Sequence, residues 1–237
     1  MINLKLYIIH DDRLEQRNSN IEELKTLSEQ YMQEDNTKRI TIDIINHHPP
    51  SSINVANIKN LVKLEVLPES ENQLYNQYLR KMSVESLSNT FNHVKALQTI
   101  AKDTDEDTYH LILEDDIVYS DKIYKQLFVL LNNLDGLEWD LLFLGQPKDN
   151  ESSLEKDSNK LQLNQMRTEN LILHCCESYM VKASTARELI SEIFPLRFFY
   201  NIQLSYLLDK NKNRFKCAKI FPNICGDGSK TGKFNSS

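Results

Sequence analysis

Hydrophobic and polar positions alternate along the chain in two periods, and the switch between them marks the elements. "LKLYIIH" (4–10) is a short β-rich apolar run and predicts a first strand. "NSNIEELKTLSEQYM" (18–32) then places Ile21, Leu24, Leu27 and Tyr31 at helical spacing, with Ser19 or Asn20 as the N-cap. "RITIDIIN" (39–46) alternates Ile40, Ile42 and Ile44 and predicts a second strand. Pro49-Pro50 makes the next segment a loop, because proline continues neither regular element. The clearest helix is 83–103, where Leu87, Phe91, Val94, Leu97 and Ala101 form one stripe. A strand follows over 109–114, a helix over 121–134 and a strand over 139–145. Residues 146–160 are polar throughout and read as a mobile loop. "LQLNQM" (161–166) and "LILHCCESYMV" (171–181) are strand-like. Two helices, 184–194 with Ser184 as cap and 201–210, precede a last strand at 215–221 and a polar tail, 226–237.

Strands alternate with helices over the first 145 residues, which predicts an α/β layered domain around a mostly parallel sheet. No repeat and no linker interrupts the 237 residues, so one domain is expected. The formal net charge of −6 argues against general nucleic-acid binding. The N-terminal apolar run is too short for a signal peptide, and no segment has the length of a membrane span. A soluble, cytoplasmic protein is the expectation. The four cysteines lack the paired spacing of a zinc site and read as free thiols. No GxGxxG follows the first strand, and Gly228-Ser229-Lys230 lacks the upstream glycine of a phosphate loop.

Candidate chemistry concentrates in "YHLILEDDIVYSD" (109–121). Glu114, Asp115 and Asp116 follow directly on an apolar run. In a parallel α/β sheet, ligands bind at the carboxyl ends of strands. Three adjacent acids repel one another, so a compensating charge is required, and a hard divalent cation such as Mn²⁺ or Mg²⁺ suits oxygen ligands. In extended backbone Glu114 and Asp116 point one way, as a metal pair, and Asp115 the other, to cap a backbone group or pack beneath. A solvated acidic turn accounts for the cluster equally well from these residues alone. His47-His48 is weak as a metal site, because adjacent loop histidines seldom share an ion.

"YHLILEDDIVYSD", followed by "WDLLFLG" (139–145), resembles the signature of glycosyltransferase family 25, which includes lipopolysaccharide galactosyl- and glucosyltransferases and procollagen galactosyltransferases. "FNHVKAL" (91–97) matches the family's "LSHLKAL"-like helix, with His93 on its histidine. "LYIIHDDRLEQR" resembles the family's opening strand and Arg-containing turn, with Arg17 as the match. "ESYMVKASTARELI" resembles a later strand and helix, and "GSKTGKFNSS" the ending of viral and algal members. The resemblance spans nearly the whole chain. It implies a GT-A fold, with donor-binding residues about 1–145 and an acceptor-side or closing part about 146–237. It implies inverting transfer of a hexose (galactose or glucose) from a uridine diphosphate sugar to a glycan or protein hydroxyl. Carried over by position, Glu114 and Asp116 serve the metal and the diphosphate, and Asp115 the sugar or ribose. Ile9 and His10 border the uridine, Arg17 and His93 belong to the donor side, and Lys230 assists the diphosphate. The chain departs from the family where acids precede the late helix: Asn201 and Gln203 stand there, and amides cannot act as the base. Glu177, Asp140 and Asp227 are the substitutes. Two other readings stand beside transfer: a binding protein of the same fold with weak or no activity, and a metal-dependent nucleotidyl- or phosphotransferase.

Overall fold

A computed structural model describes residues 1–54, 56–80, 82–134, 136–145, 161–174, 176–212, 214–229 and 233–234. The expected loop at 146–160, together with Cys175, Lys230 and Gly232, lies outside the described residues. Strand β1 (Ile2–Ile9), helix α1 (Glu15–Glu34) and strand β2 (Lys38–Ile45) open the chain. Helix α2 (Val84–Ile100), strands β3 (Thr108–Glu114) and β4 (Ile117–Tyr119), helix α3 (Ile123–Asn133) and strand β5 (Leu141–Phe143) follow. Then come β6 (Gln162–Met166), β7 (Ser178–Val181), α4 (Ala183–Glu192), α5 (Tyr200–Lys210), β8 (Cys217–Phe221) and β9 (Cys225–Asp227).

Seven strands form one sheet in the order β2-β1-β3-β7-β5-β8-β6. Strands β1, β2 and β3 are mutually parallel, and β5 is parallel to β8, while β7 and β6 run against their neighbours. The protein is thus α/β with a mixed, mostly parallel sheet. Side-chain alternation along each strand feeds two separate cores. Leu4, Leu6, Ile8, Leu111, Leu113 and Leu142 face the side covered by α1 and α3. Tyr7, Ile9, Ile112, Phe143, Tyr179 and Val181 face the side covered by α2, α4 and α5.

Several expected boundaries are corrected. Helix α1 starts at Glu15 rather than after Ser19 or Asn20, with Leu14 at the cap position and no side-chain cap bond. Asn20 is inside the helix and buried, donating from Nδ2 to the carbonyls of Asp115 and Ile117 (both 3.0 Å). Helix α4 is preceded by Lys182 at its cap position, so Ser184 does not cap it. Of the strand-like run 171–181, only Ser178–Val181 pairs. The tail is not wholly irregular, because β9 pairs antiparallel with β4, Ile117 opposite Asp227 and Tyr119 opposite Cys225. Trp139 is buried in the core, and Cys176, Cys217 and Cys225 are buried free thiols. Among the described residues no helix is long and apolar enough to cross a membrane.

Candidate active site

The parallel register sets Ile9 of β1 level with Glu114 of β3, so both strands deliver their last residues to one edge. Beyond them the chain does not stay extended. Residues 115 and 116 form a turn before β4, and the alternation that would send Asp115 away from its neighbours does not operate. Glu114, Asp115 and Asp116 all line one cavity of about 240 Å³. Ile9, His10 and Arg17 line it as well, as do Glu177 and Asp227. This is the strand-end location where α/β sheets bind ligands.

Asp115 is 2 % exposed, and its oxygens are already engaged. Oδ2 lies 2.8 Å from His10 Nδ1 and accepts from the Asp11 amide at 3.1 Å, while Oδ1 accepts from Arg17 Nη1 at 2.6 Å. Its own amide donates to Ile9 O. Asp115 therefore clamps the end of β1 and the first turn of α1 to the acidic turn. That accounts for the early start of α1: the polar turn Glu15–Asn20 carries Arg17 and Asn20 into the site instead of apolar residues into the core. His10 and Arg17 are brought to the cavity by the same clamp.

Asp116 is different. Its Oδ2 accepts from Ser229 Oγ and lies 3.5 Å from Arg17 Nη2, but its buried Oδ1 has no hydrogen-bond partner among the described residues. Burial raises its pKa to about 6, with the Glu114 charge adding to the shift and Ser229 and Arg17 opposing it. Asp116 thus lines the cavity while one of its carboxylate oxygens is buried without a donor among the described residues. Glu114 accepts from His93 Nε2 at 3.0 Å and from Asn89 Nδ2 at 3.3 Å, both on Oε1, and a fifth of its side chain stays exposed. Among the described residues no three His, Cys, Asp or Glu side chains converge into a metal cage. The donor set is still of the right kind. Mg²⁺ and Mn²⁺ prefer oxygen, and Mg²⁺ commonly takes one or two carboxylates and completes its shell with substrate phosphate and water.

His93 does not line the cavity. It is fully buried, its ring stacked 3.9 Å (centroid to centroid) from Tyr200. Its Nδ1 lies 3.3 Å from the Tyr179 hydroxyl, which is 2.6 Å from that of Tyr200. A carboxylate only accepts, so the Nε2 proton points at Glu114, while the Tyr179 hydroxyl bridges His93 Nδ1 and the Tyr200 hydroxyl. His93 thus sits behind Glu114 and is not brought to the cavity wall.

Asp140 is not brought to the cavity. It precedes β5, at the opposite edge of the sheet, and caps backbone there: Oδ2 accepts from the Lys216 amide at 2.7 Å. Gln203 is also structural, accepting from the amides of Arg197 (3.0 Å) and Phe198 (3.2 Å) and donating to Ile193 O (2.9 Å). Asn201 donates to Leu173 O at 3.0 Å and faces a second cavity of about 190 Å³. Glu177, Glu114 and Asn89 line both cavities. Glu177 is fixed there by its carbonyl, which accepts from the Glu114 amide at 2.7 Å.

The tail reaches the site through β9. The Gly228 amide donates to Asp116 O at 2.9 Å, and a Cβ on Gly228 would sit 2.2 Å from that oxygen and 2.5 Å from the Phe234 ring. Only glycine permits this approach. Asp227 and Ser229 line the cavity as a result, and Lys230 follows outside the described residues. Sequence reasoning passed over Asn20, Asn89 and Ser229, which are ordinary polar residues until the fold joins them to the turn.

A scan of the chain against family models gives no match, and a search of curated proteins gives none either.

Proposed function

We propose that the protein is a metal-dependent inverting glycosyltransferase of GT-A architecture that uses a uridine diphosphate hexose. The carrying observation is Asp116: a buried carboxylate with one unpartnered oxygen, opening on a cavity at the carboxyl ends of β1 and β3. The E-D-D signature in its sequence frame and the sheet order support the same reading.

In this reading Asp116 and Glu114 would hold Mn²⁺ or Mg²⁺, which would supply positive charge against the diphosphate leaving group. The chain's own residues do the rest. Arg17, held against Asp115, adds positive charge beside the leaving group. His93 keeps Glu114 oriented, and Ser229 keeps Asp116 oriented. Glu177, at the junction of the two cavities, takes the proton of the acceptor hydroxyl as its oxygen attacks the anomeric carbon and the uridine diphosphate departs with the bonding pair. That position answers the missing acids at Asn201 and Gln203: the base comes from the residue before β7, bonded to the end of β3, not from α5. Asp227, on the cavity wall, is second in line.

The test is release of uridine diphosphate from a panel of uridine and guanosine diphosphate sugars with Mn²⁺. Metal-dependent release that Asp116→Asn abolishes supports the reading. Cleavage at phosphorus instead of the anomeric carbon replaces it with a nucleotidyl- or phosphotransferase. Donor binding without turnover of any sugar replaces it with a binding protein.

A further inference from the structure

We propose that the second cavity is the acceptor subsite and that it takes an uncharged saccharide; this rests on the glycosyl-transfer reading. The cavity of about 190 Å³ shares Asn89, Glu114 and Glu177 with the acidic cavity. The two are therefore adjacent, with the residue that takes the proton in their common wall. Asn89 faces both. Its Nδ2 donates to Glu114, which fixes the amide orientation, because the flipped amide would set oxygen against carboxylate. Its Oδ1 is then buried with no hydrogen-bond partner among the described residues. A buried oxygen that only accepts, in the common wall of the two cavities, is left with an unmet need for a hydroxyl or amide proton.

The rest of the wall is a sugar-binding assortment. Ser86 and Asn201 give neutral groups that both donate and accept, Glu177 accepts, and Arg80 donates. Arg80 is exposed, makes no ion pair among the described residues, and lies 4.4 Å over the Phe199 ring. That stack is a flat platform with an apolar edge and a fork of N–H donors, suited to a pyranose with adjacent hydroxyls. Charge selects further. An anionic acceptor meets two carboxylates, Glu114 and Glu177, against one guanidinium, Arg80. A neutral polyol satisfies all of them.

The experiment uses the full chain with Mn²⁺ and the uridine diphosphate sugar that is turned over. Methyl glycosides of galactose, glucose and mannose are compared with serine- and hydroxylysine-containing peptides as stimulants of diphosphate release. A glycoside is expected to stimulate, with Asn201→Ala and Arg80→Ala raising its KM about tenfold while kcat falls less, as loss of one hydrogen bond predicts. The Kd of uridine diphosphate should stay within about twofold in both variants, because neither residue lines the donor cavity. Stimulation by a peptide and by no glycoside overturns the saccharide assignment. Stimulation by a glycoside with unchanged KM in both variants overturns the cavity assignment. Failure of uridine diphosphate to bind at all removes the donor reading, and the acceptor subsite with it. Asn201 and Arg80 lie outside the buried core, so circular dichroism of the variants should match the parent, and an unfolded Asn201→Ala leaves Arg80→Ala to decide.

Discussion

Towards the amino end of the sheet, His110 is buried beside Tyr7 and Asp103; at the carboxyl end, Asp116 is buried beside Glu114 and Arg17. Both are ionisable, both are at most 5 % exposed, and both have one ring or carboxyl atom without a hydrogen-bond partner among the described residues. They resolve the cost of burial in opposite ways. Desolvation pushes the His110 pKa down to about 4, so the imidazole is neutral, and its Nδ1 lies 3.3 Å from Tyr7 Oη. Burial works against ionised Asp103 too, but the Lys5 ammonium at 2.6 Å and the Asp105 amide at 3.0 Å together outweigh it, and the pKa is lowered. Asp116 sits at about 6 and is charged at neutral pH, in a wall with Glu114 and Asp115. At one end the histidine is neutral and its carboxylate neighbour is paired with Lys5. At the other, three carboxylates gather around one buried arginine, Arg17. Neither a buried titratable group nor an orphaned atom marks a site by itself; the conjunction with a cavity and residual charge does.

Substitutions at the two ends should separate function from stability. The largest effect is expected for Glu177→Gln: turnover falls about 10²- to 10⁴-fold, as loss of a general base predicts, while uridine diphosphate binding is retained. Single-turnover kinetics with equilibrium binding checks both. His93→Ala should lower kcat by about 10- to 100-fold through a misoriented Glu114, the scale seen for partners of metal ligands. Tyr179→Phe should do less, because His93 keeps its bond to Glu114. The pairing can be read from Mn²⁺ titrations, in which His93→Ala weakens the metal and an amino-end variant, Asp103→Asn, does not. Gly228→Ala should cost about 1–3 kcal/mol in denaturant unfolding, since its Cβ drives into the Asp116 carbonyl and the Phe234 ring.

The smallest effect is a pH dependence. The folded-state pKa of His110 is depressed, so below its ordinary value the unfolded chain binds a proton that the native chain does not. Stability contributed here is complete above about pH 6.5 and is lost as pH falls towards 4, by at most about 3 kcal/mol. His110→Gln should flatten that slope. Asp116 has the opposite sign, a raised carboxyl pKa. In chelating buffer Asp116→Asn should therefore be more stable than the parent above pH 6, although it loses function.

The sequence carried the repetitive parts of this fold well. Strands β1, β2 and β3 lie within two residues of their expected bounds and helix α2 within three, because each buries a face with its own period. The start of α1 was hidden, because its first turn is built for the acidic turn and shows no apolar stripe. Pairing of β4 with β9 spans more than a hundred residues and involves three residues a side, so no local pattern announces it. The acidic turn itself was legible, since apolar run and carboxylates are contiguous. Asp140 reads from the sequence equally as a cap or as a site residue, and the structure makes it a cap. It precedes its strand, whereas Glu114 ends one, and since β3 and β5 both run against β7 that puts them at opposite edges. Glu177 was singled out by its departure from the resemblance, but its position between two cavities depends on β7 entering the sheet antiparallel beside β3.

The central claim is that Asp116 is held open for a cation shared with a diphosphate. Calorimetric titration of uridine diphosphate into the parent and Asp116→Asn, each with Mn²⁺ and with chelator, tests it most directly. The account predicts binding to the parent with Mn²⁺ that weakens at least about tenfold in chelator, and binding to the variant that is weak in both. Equal affinity in all four titrations, or Mn²⁺-dependent binding that survives in Asp116→Asn, would contradict it.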